Sequence, residues 1–425
     1  MKGKQVLIIA TEYPPASVSS GVQRILKFSQ YLPSLGWGVS VLTMHPMAYG
    51  DQTVSGQLTE IPGSTFVSRA LAFNTCLHFS FKGRYLRFMA LPDRWSSWVV
   101  FGFFTGLKRI HQQRPDVLFS SYPHASAHLL ALLLHRVTGI PWVADFRDPM
   151  LYRNNHLDKL QTRVFKWLER NAMKYCQHAI FTTPGAIEGY AKQRYSEYSH
   201  DKWHLIANAY DEGNFSAAES KLKVLQASNS DFKDKVKPLT LVHAGLLYRA
   251  ERDPTCFFKA VALLLQRGDI ISSELLVVLR APGSEDYYQD LIDQYDLSSV
   301  LSIEPRVSYQ QSLLEMFTVD GLLLFQGSLC NHQIPAKVYE YFRAKKPIFS
   351  LTDPVGDTAA LLSSAGIESM APLDNEDLIA EQLLVFLQQL KTGKVAVASD
   401  EFITSQSREA RTRQLAEVLD LCLED

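Results

Sequence analysis

Short apolar runs alternate with amphipathic helical patterns along most of the chain. QVLIIA at residues 5–10 is a continuous apolar run, which is typical of a strand buried on both faces of a sheet. Residues 21–37 then place apolar side chains near one helical face, and GVSVLTM at residues 38–44 follows as the next strand. This order of strand, helix and strand predicts a crossover between parallel strands.

The same alternation occurs twice. In the first half it continues through the strands PDVLFSS, PWVADF and HAIFTT. In the second half it restarts at LTLVHAG and continues through ELLVVLR and DGLLLFQ to PIFSL. The pattern therefore predicts two doubly wound, Rossmann-like α/β domains that face each other across a cleft.

A polar stretch without a strong apolar pattern separates the two halves. We predict a first domain at residues 1–210, a linker at 211–237 and a second domain at 238–405. The last residues, 406–425, have the pattern of an exposed terminal helix.

The composition is that of an ordinary folded protein, with 46% hydrophobic and 20% charged residues. The 43 basic and 44 acidic residues nearly cancel, so no overall field favours nucleic acid as a partner. The five cysteines are widely spaced and form no CxxC motif, which indicates reduced thiols in a cytosolic protein.

The apolar runs are short. The first is only about six residues long and no small-residue cleavage site follows it, so it predicts a strand rather than a signal peptide. No apolar stretch approaches the roughly 20 residues that a membrane-spanning helix needs. We therefore expect a cytoplasmic protein that is soluble or lies on a membrane surface.

Four loops that follow strands carry candidate chemistry, because open parallel sheets bind ligands beyond the carboxyl ends of their strands. The first loop ends at Gly21, which opens the first helix and would let a phosphate approach the backbone, with Ser19 and Ser20 as caps or ligands. G-x-G-x-x-G and a Walker lysine are missing, so neither a nicotinamide site nor a P-loop is indicated. A purely structural glycine is the alternative.

In the second loop, Arg249 and Arg252 precede a helix that starts at Asp253-Pro254. Arginine binds phosphate through a planar fork of donors. The alternative is a pair of solvated surface arginines that pair with Glu251 and Asp253.

The third loop leads into NHQIPAKVYEYFRAKKPIFSL at residues 331–351. Pro335 suits the first helical position, which puts Lys337 in the first turn, where the helix dipole is already positive. The lysine therefore predicts a bound anion. Glu340 looks like an idle carboxylate in a buried helix, which a ligand hydroxyl would satisfy, although an ordinary pair with Lys337 is the alternative.

In the fourth loop, PWVADFRDP delivers Asp145, Arg147 and Asp148 to the end of a strand, as substrate groups or as an internal Arg–Asp pair. In SSYPHASAH, His124 and His128 flank a helix start. Each histidine either touches substrate or serves as a cap or packing residue.

Five segments taken together resemble GT-B glycosyltransferases of the family 4 type over nearly the whole chain. They are TEYPP…SSGVQR, PDVLFSSYPHASAH, PWVADFRDP, LVHAGLLY…RDP and IPAKVYEYFRAKKPI. The most specific element is P-x-K-x-x-E-Y with the following K-P-I strand.

The resemblance implies that the second domain binds a nucleotide diphosphate sugar. Lys337 and Arg252 would meet the diphosphate, with Arg249 in the same site, and Glu340 would meet the ribose. Gly21 would meet the phosphate or the sugar from the opposite domain.

Other positions follow from the same resemblance. Many members carry two glutamates eight positions apart in this motif, and His332 stands at the earlier position here. Histidine can donate to a sugar hydroxyl but does not reproduce a carboxylate. His128 and Asp148 are the predicted catalytic residues.

The implied activity is a retaining, metal-independent glycosyl transfer to a glycan or lipid-linked acceptor. Arginine, lysine and helix N-termini can stabilise the pyrophosphate leaving group without a metal. We therefore expect no cofactor apart from the nucleotide diphosphate sugar as co-substrate. A sugar-nucleotide epimerase of similar fold and a non-enzymatic sugar- or nucleotide-binding module are the alternatives.

Residues 77–110 combine aromatic side chains with basic residues, among them Lys82, Arg84, Arg87, Lys108 and Arg109. Such a stretch could lie on an anionic membrane and bring the enzyme to a lipid-linked sugar. The plainer prediction is a helical insertion whose apolar side packs on the first domain.

Overall fold

The computed structural model describes residues 3–17, 19–50, 53–82, 84–151, 158–228 and 237–424. The chain divides into two compact units. The first combines Met1–Asn208 with Arg408–Asp425, and the second is Ala209–Ser407. Each unit has a parallel sheet with helices around it, which confirms the predicted doubly wound α/β class.

The first unit follows the predicted order of strands and helices. Its elements are β1 Lys4–Ala10, α1 Ser20–Tyr31, β2 Trp37–Met44, β3 Phe66–Ala70, α2 Thr75–His78, α3 Ser96–Gln113, β4 Val117–Ser121, α4 Ala125–Thr138, β5 Trp142–Arg147, α5 Lys159–Tyr175, β6 His178–Phe181, α6 Pro184–Glu188 and β7 Trp203–Leu205. Within the described residues the sheet order is β3-β2-β1-β4-β5-β6-β7. The order reverses between β1 and β4, so the ends of these two strands border the crevice where such sheets bind ligands.

Strand β1 explains the continuous apolar run of the sequence. Leu7 and Ile9 pack into the cluster on one face of the sheet, and Val6 and Ile8 pack into the cluster on the other face. Both faces are therefore covered, as expected for a central parallel strand.

Helix α1 is shorter than its predicted extent. Ser19 caps it by accepting a hydrogen bond from the N–H of Val22, and the helix ends at Tyr31. A 3-10 turn at Leu32–Leu35 with Pro33 in it follows, because proline cannot donate to the helical ladder.

The second unit repeats the architecture. Its elements are α7 Glu212–Ser228, β8 Leu239–Ala244, α8 Thr255–Arg267, β9 Leu275–Arg280, α9 Glu285–Gln294, β10 Leu301–Glu304, α10 Tyr309–Thr318, β11 Gly321–Gln326, α11 Lys337–Ala344, β12 Ile348–Thr352, α12 Asp357–Ser364, β13 Met370–Ala371, α13 Glu376–Thr392 and α14 Asp400–Ser405. The sheet order over the described part is β10-β9-β8-β11-β12-β13, which reverses between β8 and β11.

Most of the stretch predicted as a linker is helix α7, which belongs to the second unit. The helix is held by polar contacts that an apolar pattern does not reveal. The Arg343 guanidinium lies 2.7 Å from carboxylate oxygens of both Glu212 and Glu219, and Phe215 is fully buried. Residues 229–236 of the predicted linker lie outside the described residues.

The terminal helix α15, Arg408–Leu421, belongs to the first unit. Leu415 and Leu419 are fully buried in the same cluster as β1. Asp420 accepts hydrogen bonds from Lys4 at 2.6 Å and from the Trp37 indole at 3.1 Å. The prediction of an exposed terminal helix is therefore wrong, because one face of α15 completes the core of the first unit.

Across the part of the chain that the structure describes, no helix has the length and apolar content to cross a membrane.

Candidate functional site

A lysine lies over a glycine at the reversal point of the second sheet. Gly245 directly follows β8 and has a φ of +105°, a conformation that favours glycine. A Cβ at this position would lie 3.2 Å from the Nζ of Lys337. The side chain of Lys337 therefore reaches from the start of α11 back across the carboxyl end of β8.

His243 on β8 holds that lysine. Its fully buried ring donates from Nδ1 to the carbonyl of Leu323 at 3.0 Å, which leaves a lone pair on Nε2. Nε2 lies 3.2 Å from the Nζ of Lys337. Burial lowers the pKa of His243 well below its usual range, so the ring stays neutral and accepts from the ammonium.

His243 was not predicted as a site residue. It is a single ionisable residue in the apolar run LTLVHAG, and the following glycine marks a close approach of the backbone. A buried ionisable residue followed by glycine was therefore the feature of the sequence that could have indicated His243 as a site residue. Its partner carbonyl lies on β11, about 80 residues away, and no local pattern indicates that pairing.

Lys337 is the first residue of α11, and Ala336 before it supplies no side-chain cap. Pro335 stands two residues before the helix rather than at its first position, but the prediction of Lys337 in the first turn is confirmed. Burial, together with the neighbouring charge of Arg252, lowers the pKa of Lys337 to about 7. Two cations at one helix N-terminus favour an anion as ligand.

The two predicted arginines differ in placement. Arg252 is half-buried, and its Nε has no hydrogen-bond partner among the described residues. Arg249 is exposed, and its guanidinium stacks 3.7 Å above the ring of Tyr287. The charge of Arg252 lowers the pKa of Lys337. Arg249 instead packs on the ring of Tyr287.

Glu340 is not idle. The hydroxyl of Tyr309 donates to its Oε1 at 2.8 Å, so the carboxylate has a protein partner before any ligand arrives. The sequence predicted a ligand hydroxyl or Lys337 as its partner, and Tyr309 was not considered because it lies in the neighbouring helix α10. The contact of Glu340 with a ligand stays a prediction.

His332 is exposed in the loop between β11 and α11. A pocket of about 450 Å³ opens on the same edge of the sheet, between loops that follow β8, β11, β12 and β13. Its polar lining includes Asp253, Ser328, Asp353 and Asp374.

The first unit also places a cation over a glycine at its reversal point. A Cβ on Gly21 would lie 2.8 Å from the Nη1 of Arg147 and 3.0 Å from the Oε2 of Glu12. The close approach at Gly21 is made by the ends of these two side chains, and the predicted approach of a phosphate stays a prediction.

Arg147 ties three loops together. Its Nη1 donates to the carbonyl of Tyr122 at 3.0 Å, and its Nη2 donates to the hydroxyl of Ser20 at 3.1 Å. Arg147 itself has a φ of +58°, where the register between β5 and β6 shifts. Such backbone conformations cluster at functional sites. The sequence predicted Arg147 as a substrate group or as one member of an internal Arg–Asp pair, and did not predict its bonds to Tyr122 and Ser20.

Asp148 is half-buried beside Arg147. Burial raises its pKa above the usual range, and the charge of Arg147 partly offsets that rise. A carboxylate whose pKa is raised is a stronger base than an exposed aspartate.

The two histidines, His124 and His128, differ in burial. His128 is fully buried, with its Nδ1 2.8 Å from the Ser120 hydroxyl, and burial lowers its pKa to about 4. In this structure it has no surface that a substrate could touch. His124 is half-buried at the carboxyl edge of the sheet, with its Nδ1 2.8 Å from the Thr11 hydroxyl.

The predicted residues thus form two groups, one in each unit. Gly21 and Asp148 share the Arg147 cluster of the first unit, whereas Lys337, Arg252 and Glu340 gather at the start of α11 in the second.

Comparison with known proteins agrees with this architecture. Residues 21–209 match the family described as glycosyl transferase 4-like domain. No curated protein matches the sequence at a significant level.

Solved structures share the fold over the whole chain. A glycosyltransferase from Rickettsia africae ESF-5 has a TM-score of 0.64 at 12% identity, with 99% of each chain covered. HepE from Anabaena in complex with UDP has a TM-score of 0.63 at 13% identity, over 98% of this chain and 99% of that one. The UDP-GlcNAc 2-epimerase from Neisseria meningitidis, bound to UDP-GlcNAc, has a TM-score of 0.55 at 11% identity, over 99% of this chain and 100% of that one.

Identities this low establish a shared fold and nothing more. The chain shares the GT-B fold of these glycosyltransferases, and residues 21–209, less than half of the chain, match the family described as glycosyl transferase 4-like domain. The resemblance drawn from the sequence is confirmed to this extent.

Proposed function

We propose that this chain, with its glycosyl transferase 4-like domain, is a glycosyltransferase that moves a sugar from a nucleotide diphosphate sugar to a glycan or lipid-linked acceptor. The observation that carries the proposal is the ammonium of Lys337, which His243 holds over Gly245 at the reversal point of the second sheet. A diphosphate is the anion that suits this position, and HepE, which has the same fold, was solved with UDP.

The residues of the second unit suit the departure of the diphosphate. When the bond between the anomeric carbon and the phosphate oxygen breaks, negative charge develops on the leaving group. Lys337, Arg252 and the free N–H groups at the start of α11 supply positive charge and donors for it. Glu340, oriented by Tyr309, would accept from a ribose hydroxyl.

The residues of the first unit suit the acceptor. Asp148, with its raised pKa, would take the proton of the acceptor hydroxyl as that oxygen attacks the sugar. His128 would act only through the packing of its loop, and His124 is the histidine placed to meet substrate. A retaining outcome and independence from metal are part of the proposal through the resemblance to the family 4 type.

The first prediction concerns the phosphate-binding lysine. We expect Lys337→Ala to weaken UDP binding about ten- to a hundredfold, since a hydrogen bond to a charged group contributes about 1.5–3 kcal/mol. Isothermal titration calorimetry measures this directly. Lys391→Ala is the matched control, because Lys391 is an exposed lysine of the same unit that pairs with Glu274.

The control should bind UDP as the wild type does. If the wild type binds no UDP-, GDP- or ADP-sugar, the proposed function fails. Analysis of products with donor alone separates the classes: an epimerase changes the sugar, whereas a transferase only hydrolyses the donor slowly.

A further inference from the structure

Helix α3 packs on the first unit through its smallest residues. A Cβ on Gly102 would lie 2.7 Å from a methyl carbon of Leu130, and one on Gly106 would lie 2.8 Å from a methyl carbon of Leu134. Both leucines belong to α4. The two glycines, four residues apart, therefore let the helices approach closely and set which face of α3 is buried.

Some large apolar residues of α3 nevertheless lie on the face turned away from the core. Val100 is 58% exposed and Phe104 is 67% exposed, and Lys108 continues the same face at a spacing of four residues. A surface helix normally buries its bulky apolar face and exposes its polar face. Helix α3 has large apolar residues on both faces. Trp98 and Val99 are buried in the core of the first unit and Phe103 packs against it, as predicted for the insertion. Val100 and Phe104 remain exposed on the other face.

Neighbouring segments extend this exposed face. The ring of Phe73 lies 5.9 Å from Phe79 and 6.0 Å from Phe101, which joins the segment before α3 to the helix. We call the combined set the apolar surface; its members are Leu77, Phe79, Phe81, Leu86, Phe88, Val100, Phe101 and Phe104.

The charge around the apolar surface is strongly one-sided. Residues 61–115 contain eight basic residues and a single acid, Asp93, although the whole chain has a net charge of −1. Asp93 is already used inside the fold, where it accepts from the N–H groups of Trp95 and Ser126 at 2.8 Å. Lys82, Arg84 and Lys108 are exposed among the apolar residues.

We propose that the apolar surface docks on the headgroup region of an anionic phospholipid bilayer. Contiguous exposed apolar residues mark an interaction site. Interleaved lysine and arginine complement anionic lipid, and Phe and Leu side chains insert at the boundary between headgroups and acyl chains. The inference depends on the surface of the first unit alone and not on the identity of the donor.

Vesicle co-sedimentation without nucleotide tests this proposal. The full chain should sediment with phosphatidylcholine vesicles that contain phosphatidylglycerol, and sediment far less with phosphatidylcholine alone or at high salt. Replacing Phe81, Phe88 and Phe104 together by serine should reduce binding by more than about tenfold. Replacing Lys82, Arg84 and Lys108 by glutamate should remove the preference for anionic lipid.

The matched control replaces three exposed apolar residues elsewhere, Trp167, Val224 and Ile271, by serine and should leave sedimentation unchanged. Circular dichroism and the unfolding temperature of the variants show whether they are folded. The proposal is overturned if the wild type ignores anionic vesicles or if the Phe variant binds them as well as the control. It is also overturned if the wild type self-associates in solution and the Phe variant does not, since the apolar surface would then bind a second copy of the chain.

Discussion

Lys337 and His243 form an unusual contact, because the buried partner of the cation is a neutral ring rather than a carboxylate. One N–H of the ammonium is directed to Nε2 of His243, and the remaining ones are available to a ligand. Arg252 repels the ammonium and Glu340 attracts it, with burial as the larger effect. A doubly charged anion bound beside the amine would raise the pKa of Lys337 and so favour the charged form.

A second prediction follows from the pKa of Lys337, which lies at about 7 in the free protein. Just above neutral pH a large share of the amine is uncharged, and a bound diphosphate raises its pKa and recharges it. We expect UDP binding to take up protons, and affinity to fall as pH rises further above 7. Titration calorimetry in two buffers of different ionisation enthalpy measures the uptake.

Lys337→Arg provides the comparison, since a guanidinium stays charged throughout this range. If the variant took up as many protons as the wild type, the titrating group would lie elsewhere.

A third prediction tests whether His243 acts through Lys337. We expect His243→Leu to weaken UDP binding about tenfold in the wild-type background, and to have almost no effect when Lys337 is already methionine. A double-mutant cycle by calorimetry yields this coupling. Independent, additive losses would show that His243 only supports the strand.

At the level of helices, a fourth prediction compares two glycines, each the second residue of its helix. Glycine to alanine in a helix is ordinarily stabilising by about 1 kcal/mol. Gly213 in α7 has only ordinary contacts around its Cβ position, so Gly213→Ala should stabilise the second unit. Gly21→Ala should instead destabilise the first unit by about 1–3 kcal/mol, because Arg147 cannot move without losing its hydrogen bonds.

Differential scanning calorimetry of Gly213→Ala and Gly21→Ala measures the change in unfolding temperature that each substitution causes. A rise in unfolding temperature for Gly21→Ala would mean that Arg147 shifts at no cost and does not fasten the loops.

The predictability of each element depended on what holds it. Strands β1 and β11 were recognised because both faces are apolar and buried. Helix α7 was missed because Arg343 and two glutamates hold it, and β13 because it has two residues. The packing of α3 on the first unit was predicted, but its apolar pattern did not reveal that Val100 and Phe104 stay exposed on the other face.

The candidate site divides in the same way. Lys337, Arg252 and Gly21 could be predicted from the sequence because motif position and helix electrostatics depend on nearby residues. His243 and the clamp made by Arg147 depend on carbonyls of other strands and loops, which only the folded chain brings together.

For the whole molecule, the two units share one design at the reversal points of their sheets. In each, a basic side chain lies over a glycine after the first strand, Arg147 over Gly21 and Lys337 over Gly245. Yet the sequences of the two loops have no motif in common. The physical requirement, a backbone without a side chain next to a positive charge, is what the units share.

Helix α15 returns to the first unit after the second unit is complete, so the second unit is inserted within the first. During synthesis the first unit starts earlier but lacks Leu415 and Leu419 until all of the second has been made. A nascent chain therefore carries an open apolar strip beside β1 through most of its translation. That strip is where a chaperone would be needed, and where a fragment ending at residue 208 would aggregate.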